Sequence, residues 1–344
     1  MKITPRVSVI MPVYNPGLRL KEAIGSVETQ IFRDWELILV DDGATDGSAA
    51  VCDEAAARDN RIRVLHQPNV GICAARNAGL ALAGGKYLAF CDDDDRYLPS
   101  FLGNAYALAE EHQADVVRFN YTIERELSDG DCRLLPHKTG QACVLHRPDG
   151  GMAYDAFLRG SGPLFVWNAL YRRTAVGNLQ FDCICRYGLE DFVFNAALYA
   201  DVKTMAYSPE VAYFHREHGG STSVNCTPET LQWRFAALKP WMDAEYRAAK
   251  SWCRPKELTL VWNERKAGAI TFVMHQLRDA DADRTTEKEA WRALRKILET
   301  GGKNGKFDFL RVAGQNRKQG AALLLYQMHL TGLYRLLTKK EDAL

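Results

Sequence analysis

The first 121 residues alternate short β-rich runs with helical patterns, and this alternation limits the fold more than any other feature of the chain. Runs rich in branched and aromatic residues predict strands at Val7 to Val13, Trp35 to Asp41, Ile62 to His66, Tyr87 to Cys91 and Asp115 to Tyr121. Helical patterns lie between them, at Leu20 to Ile31, at Ser48 to Asp59 and from Pro99 onward. The alternation predicts an α/β fold with a mostly parallel sheet flanked by helices.

The rest of the chain divides into two parts by composition. Residues 122–162 are polar and rich in turn-forming residues, which predicts loops and a hairpin. From Pro228 to Leu337, Trp, Leu and Ala are spaced among Lys, Arg and Glu at helical intervals. We therefore expect a C-terminal helical extension.

Composition excludes several classes of protein. With 47% hydrophobic and 25% charged residues, and no run of 18 apolar residues, the sequence indicates neither disorder nor a membrane-spanning helix. The apolar run that follows Lys2 and Arg6 is too short for a secretion signal. The nine cysteines are scattered without a CxxC pair, as is typical of reduced thiols. We therefore expect a cytoplasmic protein.

The formal net charge of +1 hides an asymmetry along the chain. Residues 1–224 contain 22 basic and 29 acidic residues, a net charge of −7, whereas residues 225–344 contain 22 basic and 14 acidic residues, a net charge of +8. A basic region either binds an anionic partner or forms a solvated helical surface, and both interpretations stay open. We expect no nucleic acid partner.

Four consecutive aspartates, Asp92 to Asp95, follow the fourth predicted strand. Neighbouring carboxylates repel, at a cost of about 4 kcal/mol for a pair about 4 Å apart at an effective dielectric of about 20. In an extended segment Asp92 and Asp94 share one face, and the other two point elsewhere. This predicts a Mg²⁺ or Mn²⁺ site that substrate phosphates and water complete. The alternative is an acidic turn that caps the following helix.

Polar residues also follow the first two predicted strands, at the edge where an α/β sheet exposes its ligand crevice. Tyr14 and Asn15 follow the first strand, and Asp42 follows the second. Helix capping explains Asp46 and Ser48. Because a second carboxylate at a strand end exceeds what a turn requires, Asp42 is expected to accept hydrogen bonds from a base or a ribose.

These motifs together resemble those of glycosyltransferase family 2, whose members are inverting, nucleotide-sugar-dependent enzymes of the Rossmann-like GT-A fold. Four ordered segments carry the resemblance: VSVIMPVYN at Val7 to Asn15, LVDDGATDGS at Leu39 to Ser48, NVGICAARNAG at Asn69 to Gly79 and YLAFCDDDD at Tyr87 to Asp95. The resemblance covers about residues 5–223. We therefore expect a catalytic domain at 1–224, with a donor half at about 1–121 and an acceptor half at about 122–224, and a helical region at 225–344.

The resemblance implies roles for residues of the donor half. Those assigned to the nucleotide sugar are Pro12, Tyr14, Asp42, Arg76, Asp92 and Asp93. The first three would hold the nucleoside, expected to be uridine, and Arg76 would lie near the diphosphate. Asp92 and Asp94 would form the DxD metal site for Mn²⁺ or Mg²⁺, with Asp94 the more direct ligand.

Two segments of the second half also resemble the family, VWNALYRR at Val166 to Arg173 and YGLEDFVFN at Tyr187 to Asn195. By this resemblance Trp167 and Asn168 would contact the acceptor. Transfer with inversion needs a base on the face opposite the leaving diphosphate. Asp191 is the candidate base, and Glu190 would orient it or the acceptor. The alternative is a helix start that is simply enriched in acidic residues.

The segment YFHREHGGSTS at Tyr213 to Ser223 resembles the family's closing segment. By this resemblance the leaving diphosphate would meet Arg216, His218, Ser221 and Ser223. A polar surface loop is the alternative.

Two departures from the family pattern lie in the acceptor half. Ala169 stands where many relatives carry Lys, and Leu189 stands between Gly188 and the acidic pair. Neither removes a proposed catalytic group, but both leave the acceptor contacts open.

The C-terminal region contains an apolar stripe beside basic residues. The stripe consists of Leu323, Tyr326, Leu330, Leu333 and Leu337, and the basic residues are Arg335, Lys339 and Lys340. The stripe would either lie on an anionic membrane surface, at the inner face where lipid-linked acceptors reside, or pack on its own domain or a partner, including a second copy of the chain.

The sequence thus predicts a metal-dependent hexosyl- or N-acetylhexosaminyltransferase. It would move a sugar from a nucleotide-sugar, expected to be a UDP-sugar, to a hydroxyl of a glycan or lipid-linked acceptor in bacterial surface polysaccharide synthesis. The alternative is a catalytically silent nucleotide-sugar or glycan-binding protein of the same fold. A nucleotidyltransferase would need a Gly-rich basic loop for a triphosphate, and a dinucleotide-dependent dehydrogenase would need a GxGxxG after the first strand; the sequence has neither.

Overall fold

The computed structural model describes residues 4–127, 132–137, 140–147, 149–160, 165–185, 187–218, 227–280, 283–298, 321 and 324–326. The strands are β1 (Val7–Val13), β2 (Trp35–Asp41), β3 (Ile62–His66), β4 (Tyr87–Phe90), β5 (Arg96–Tyr97), β6 (Val116–Glu126), β7 (Cys132–Pro136), β8 (Cys143–His146), β9 (Ala169–Arg172) and β10 (Thr204–Glu217). The helices are α1 (Arg19–Glu28), α2 (Ser48–Arg58), α3 (Ile72–Leu82), α4 (Phe101–Glu111), α5 (Gly151–Gly160), α6 (Arg173–Val176), α7 (Glu190–Tyr199), α8 (Pro228–Trp252), α9 (Pro255–Asp279) and α10 (Arg284–Leu298).

The strands of the described ranges form one sheet in the order β3-β2-β1-β4-β9-β6-β10-β5, with β7 beside β6 and β8 beside β10. The first four strands in this order are parallel. β9 runs antiparallel between β4 and β6, and β10 is parallel to β6. The sheet is therefore parallel on one side and mixed on the other, and the predicted α/β class is confirmed.

Helices cover both faces of this sheet, and every residue of β1 and β2 is buried. Val7, Val9 and Met11 face one hydrophobic cluster, which also contains residues of α1, α2 and α4. Ile10 points the other way, into a cluster that contains residues of α3, α7 and the C-terminal helices. Burial on both faces explains why these strands read as continuous apolar runs.

The predicted boundaries agree closely in the first half and less well after it. Strands β1, β2 and β3 have the predicted bounds. β4 ends at Phe90, one residue early, although the N–H of Cys91 still donates to the carbonyl of Ile10 at 3.1 Å. β6 continues past Tyr121 to Glu126 and pairs with β7, which is the predicted hairpin. Helix α2 starts at Ser48 itself, whose N–H donates to the Asp46 carboxylate at 3.0 Å.

Not every helix of the described ranges was predicted. α5 lies in the region that was expected to form loops, and α3 coincides with the segment that was identified only as a family motif. The short helix α6 was not predicted either, and the start of α7 was named only as an alternative to a catalytic role. α3 packs closely on β1 because residue 79 is glycine: a Cβ there would lie 2.4 Å from Cγ2 of Ile10.

The predicted C-terminal helices are present as α8, α9 and α10. Trp252 of α8 donates from Nε1 to the carbonyl of Tyr199 at 2.7 Å, so α8 is fixed to the end of α7. Of the predicted apolar stripe, Tyr326 lies in the described part and its ring is 5.6 Å from that of Trp291; the other stripe residues lie outside it. Among the helices of the described ranges, none has both the length and the apolar composition needed to cross a membrane.

Candidate active site

The carboxyl ends of the parallel strands meet at one edge of the sheet, and most of the predicted site residues lie along it. Val13 of β1 is paired with Asp41 of β2, and Ile10 of β1 with Phe90 of β4. The loops that leave these three strands therefore begin side by side. β10, parallel to β6, brings its own carboxyl end to the same region.

Asp42 is buried directly after β2 and holds the loop that leads into α3. Its carboxylate accepts hydrogen bonds from Nε2 of Gln67 at 2.7 Å and from the N–H groups of Val70 at 3.0 Å and Gly71 at 2.8 Å. Gly43, with φ at +73°, allows the two loops to approach, because a Cβ there would lie 2.8 Å from the backbone nitrogen of Asn69. Asp42 thus fixes one wall of the crevice.

The loop after β1 forms the opposite wall. Pro12 is buried within β1, whereas Tyr14 leaves 52% of its surface exposed. The N–H of Tyr14 donates to Oδ2 of Asp93 at 2.8 Å, and Asn15 Oδ1 accepts from the N–H of Thr45 at 2.7 Å. The exposed Tyr14 ring therefore lies on a loop that is tied both to the acidic residues and to the loop after β2.

Asp92 to Asp95 form a turn, in which the N–H of Asp95 donates to the carbonyl of Asp92 at 3.3 Å. The extended conformation that was expected for this segment was therefore wrong. The four carboxylates nevertheless have different partners. Asp93 faces the loop after β1, Asp95 faces β10, and Asp92 and Asp94 reach towards the crevice with about a fifth of each side chain exposed, 22% and 23%.

Asp95 anchors this acidic turn to β10. It is buried and accepts hydrogen bonds from the hydroxyl of Tyr213 at 2.8 Å, Nδ1 of His215 at 3.0 Å and the N–H of Arg216 at 2.6 Å. Burial lowers the pKa of His215, but Asp95 outweighs this and raises that pKa to about 9. An imidazolium therefore lies under the turn at neutral pH.

Sequence reasoning missed His215, although it lies in the segment that carries Arg216 and His218. Its ring stacks on that of Trp167 at 5.2 Å. Alternation along a strand puts Tyr213 and His215 on one face and Arg216 on the other. Had this alternation been applied to the segment, it would have identified Tyr213 and His215 as neighbours on one face of the strand.

Asp93 is affected by its acidic neighbours. Burial, and then the charge of Asp94, raises the pKa of Asp93 well above its usual range; Asp92 adds to this effect and the N–H of Tyr14 opposes it. The charges of Asp92 and Asp94 therefore act on Asp93 in the same direction as burial.

Arg76, on α3, lies buried at the centre of the site and contacts three carboxylates. One terminal nitrogen donates to Oδ1 of Asp191 at 2.6 Å and to Oε1 of Glu190 at 3.2 Å, and the other donates to Oδ1 of Asp92 at 2.9 Å. The Phe181 ring lies 5.3 Å from its guanidinium carbon. Arg76 therefore connects the acidic turn with the acidic pair of α7, rather than standing free for a diphosphate.

Glu190 and Asp191 form the first turn of α7, which begins after Leu189 in a left-handed conformation with φ at +69°. Oδ2 of Asp191 accepts from the N–H of Val166 at 3.0 Å. Burial raises the pKa of Asp191, and Arg76 opposes this. Burial and the charge on Asp191 raise the pKa of Glu190 to about 7. Leu189, a departure from the family pattern, packs into the core and sets where α7 starts.

The acidic turn suits a divalent cation in its chemistry. Asp92 and Asp94 present hard carboxylate oxygens, and Oδ2 of Asp94 lies 2.9 Å from Nε2 of His218. In the described part of the chain, His, Cys, Asp and Glu side chains form no group of three that would hold a metal by themselves. The residues therefore fit a cation that one or two carboxylates share with phosphate oxygens, as is usual for Mg²⁺.

Arg216 is paired with two carboxylates. Its guanidinium contacts Glu22 of α1 at 2.8 Å and Glu124 of β6 at 3.3 Å. The predicted contact with the diphosphate would require Arg216 to leave both carboxylates. His218, by contrast, lies at the acidic turn through Asp94. Ser221 and Ser223 lie outside the described residues.

Trp167 and Asn168 are buried, so the expected direct contact with an acceptor is not supported. The Trp167 ring stacks on Tyr213 at 4.4 Å and on Phe165 at 4.7 Å. Asn168 donates from Nδ2 to the carbonyl of Phe119 at 2.7 Å. Because the Trp167 ring and the Asn168 amide contact other residues of the protein interior, both residues stabilise the structure around the site.

Comparison with known proteins is consistent across sequence and structure. The model of the family Glycosyl transferase family 2 matches residues 8–176. The glycosyltransferase EpsJ of Bacillus subtilis (strain 168) is 33% identical over 239 residues, which cover 68% of this chain and 68% of that protein. For four other relatives the chain spans between 32% and 64% of their length.

Two solved structures resemble the fold. S. aureus TarS 1-349 in complex with UDP has a TM-score of 0.70 at 18% identity, over 96% of this chain and 89% of that one. The mannosyltransferase PcManGT from Pyrobaculum calidifontis in complex with GDP-Man and Mn²⁺ has a TM-score of 0.50 at 17% identity, over 100% of this chain and 89% of that one. These structures confirm the predicted fold, including its C-terminal helices. The chain therefore belongs to glycosyltransferase family 2 and is a glycosyltransferase of the GT-A fold.

Proposed function

We propose that this enzyme is inverting and metal-dependent, and that it moves a hexosyl or N-acetylhexosaminyl group from a UDP-sugar to a hydroxyl of a glycan or lipid-linked acceptor. The Arg76 cluster carries this proposal. One buried guanidinium joins Asp92 of the donor-side turn to Glu190 and Asp191 of the acceptor side. The groups needed for departure and for attack are thus held together by shared hydrogen bonds.

The donor would occupy the crevice between the loops that follow β1 and β2. The exposed Tyr14 ring offers a stacking surface to a base, and the Asp42 loop offers backbone groups beside it. The structural neighbour TarS is described in complex with UDP and with UDP-GlcNAc. These observations favour uridine as the nucleoside.

Asp92 and Asp94 would hold Mg²⁺ or Mn²⁺ together with the diphosphate, with Asp94 the more direct ligand. PcManGT is described with Mn²⁺. Such an ion neutralises the negative charge that develops on the leaving diphosphate. Three carboxylates meet one guanidinium at Arg76, and this excess negative charge also favours a cation at the turn.

Asp191 would be the general base. The acceptor oxygen forms a bond to the anomeric carbon while the bond from that carbon to the diphosphate breaks, and UDP leaves with the electron pair. The hydroxyl proton passes to Asp191. Arg76 lies closer to Asp191, at 2.6 Å, than to Glu190, at 3.2 Å, and so favours the ionised form of Asp191. Glu190, with its pKa of about 7, would hold a proton part of the time and orient the acceptor oxygen.

His218 would remain near the diphosphate through Asp94, and Arg216 would reach it only by leaving Glu22 and Glu124. Ser221 and Ser223 would bond the oxygens of the leaving diphosphate. We further propose that residues 1–224 are the catalytic domain and 225–344 a helical region. The enzyme would act in the cytoplasm in surface polysaccharide synthesis, at the inner face of the membrane if the acceptor is lipid-linked.

The test measures UDP release from a panel of UDP-sugars with Mn²⁺, with Mg²⁺ and with EDTA, together with UDP affinity. Asp191→Asn should keep metal-dependent UDP binding and lose transfer by about 10²–10⁴-fold. Asp94→Ala should lose both. Asp34→Asn, an exposed carboxylate paired with Arg6, is the matched control and should behave as wild type.

Normal transfer by Asp191→Asn would remove Asp191 from the role of base. Metal-dependent UDP binding without turnover of any UDP-sugar would instead identify a silent binding protein. UDP binding that is unaffected by EDTA would contradict the metal assignment.

A further inference from the structure

A cleft of about 570 Å³ lies between the segment before α7, α7 itself and α8. We call it the α7–α8 cleft; its polar lining includes Gln180, Asp182, Asp243, Tyr246 and Arg247. Its volume is within the range of small-molecule sites, roughly 300–1,000 Å³. None of these residues belongs to the proposed donor site.

The cleft begins on the same face of α7 as the catalytic pair. Val193 and Ala197 line it, and they follow Glu190 at intervals of three and seven residues, which places all three on one helix face. From Glu190 to Ala197 the helix rises about 10 Å. The cleft is therefore a continuation, along α7, of the place where an acceptor oxygen would meet Glu190.

The segment before α7 connects the cleft with Arg76 from the other side. Phe181 is buried, with its ring 5.3 Å from the Arg76 guanidinium and 4.2 Å from the ring of Phe194. Its neighbours Gln180 and Asp182 are exposed and face the cleft. Within residues 180–182, Phe181 therefore contacts Arg76 of the catalytic cluster, whereas Gln180 and Asp182 line the cleft.

The buried thiol of Cys185 gives a second indication that the cleft lies close to the catalytic pair. Cys185 lies near both Asp182 and Glu190: burial, and then the charges of these two residues, raise its pKa to about 12. Asp182 of the cleft and Glu190 of the catalytic pair therefore both lie close enough to the Cys185 thiol to raise its pKa.

The lining has the chemistry that binds sugars. The carboxylates accept hydrogen bonds from hydroxyl groups, the amide of Gln180 both accepts and donates them, and the guanidinium of Arg247 adds donors. The half-buried ring of Tyr246, held at 5.0 Å from the ring of Trp262, and Pro240 offer flat apolar surfaces for the carbon faces of a sugar. A groove that binds the apolar surface of a protein partner would be lined by apolar side chains, whereas this cleft contains the carboxylates of Asp182 and Asp243.

The cleft lies beyond the matched family model, which ends at residue 176, because its lining residues fall between 179 and 247. Its α8 residues also lie beyond residue 223, where the resemblance to the family's motifs ends. A site outside the shared donor-binding region suits the part of the substrate that differs between family members.

We infer that the α7–α8 cleft binds an oligosaccharide acceptor, holding the sugars that precede the one whose hydroxyl is glycosylated. This inference rests on the proposed function, because it takes the acceptor oxygen to lie at Glu190 and Asp191. The enzyme would accordingly prefer acceptors of two or more sugars over single sugars.

The test uses the full chain, in the presence of UDP and Mn²⁺, on a printed array of bacterial and synthetic oligosaccharides. Wild type should bind at least one oligosaccharide class. Asp243→Asn and Tyr246→Ala should weaken that binding by about tenfold or more, with UDP affinity unchanged. Asp34→Asn is again the matched control. Because the Tyr246 ring packs on Trp262, thermal melting must show that this variant is folded. Asp243→Asn, at a half-buried side chain that pairs with Lys239, keeps the test independent of Tyr246.

Wild type that binds no oligosaccharide on the array, or cleft variants that bind as wild type does, would overturn the inference. Transfer kinetics give a second readout: the cleft variants should raise KM for the bound oligosaccharide and leave the rate with a single-sugar glycoside unchanged. If no UDP-sugar is turned over at all, the proposed function fails while glycan binding is still measured. The two proposals can therefore fail separately.

Discussion

Arg76 is buried among Asp92, Glu190 and Asp191, and its charge is what allows these carboxylates to lie together. We expect Arg76→Gln to lower the free energy of unfolding by about 3–5 kcal/mol, since the variant leaves buried carboxylates without their partner. It should also abolish transfer. Urea denaturation at neutral pH measures the loss of stability, and lowering the pH should recover part of it by protonating the carboxylates.

The control for this variant is Arg6→Gln. Arg6 pairs with Asp34 at 3.5 Å, and both side chains are exposed, by 53% and 43%. Exposed pairs contribute about 0–1 kcal/mol, so the loss should be small. Equal losses of unfolding free energy in the two variants would show that the burial of Arg76 does not increase its contribution to stability.

Glu190 gives a prediction for pH dependence. Its pKa is raised from 4.5 to about 7, so the folded chain holds this proton more tightly than the unfolded chain. Stability from this group is therefore present at low pH and is lost as the pH rises from about 4.5 through about 7. Glu190→Gln removes this titration. Unfolding free energies measured between pH 5 and 8 should fall more steeply for wild type than for the variant; parallel profiles would contradict the raised pKa.

At the scale of elements, the position of α3 on β1 decides where Arg76 lies. A Cβ at Gly79 would meet Cγ2 of Ile10 at 2.4 Å, so Gly79→Ala should push α3 outward. We expect a loss of about 1–3 kcal/mol in stability, together with lower activity, because Arg76 is one turn away on the same helix. Combining Gly79→Ala with Ile10→Ala should show non-additive losses in a double-mutant cycle, since the second change restores space.

Gly25→Ala serves as the matched control in α1. A Cβ at Gly25 has nothing within 4 Å. This substitution should therefore stabilise the protein by about 0.4–1 kcal/mol. A destabilised Gly25→Ala would mean that helix glycines here matter for reasons other than close packing.

At the scale of the whole molecule, the C-terminal helices share a core with the catalytic part. Trp241, Trp252 and Trp262 belong to the cluster that contains Phe194 of α7, and Arg234 of α8 donates to the carbonyl of Tyr187 at 2.9 Å, just before the catalytic pair. We therefore expect residues 1–224 alone not to fold cooperatively, because this cluster would be exposed to water.

Circular dichroism during thermal melting of the fragment 1–224, beside the full chain, provides the measurement. A single cooperative transition in the fragment, with UDP affinity equal to that of the full chain, would show that the proposed catalytic domain is independent of residues 225–344.

The sequence by itself determined the α/β class, the bounds of β1 to β3 and the identity of the acidic groups, because burial on both faces of a parallel strand and adjacent carboxylates leave local patterns. It could not determine which carboxylates Arg76 joins: Asp92 and Asp191 are far apart in the chain and meet only when α3, the turn after β4 and α7 pack together. For the same reason the turn of Asp92 to Asp95, the burial of Trp167 and the pairing of Arg216 were decided only by the tertiary structure. Each depends on the partner that packing supplies, such as Glu124 for Arg216, and no local spacing of residues contains that information.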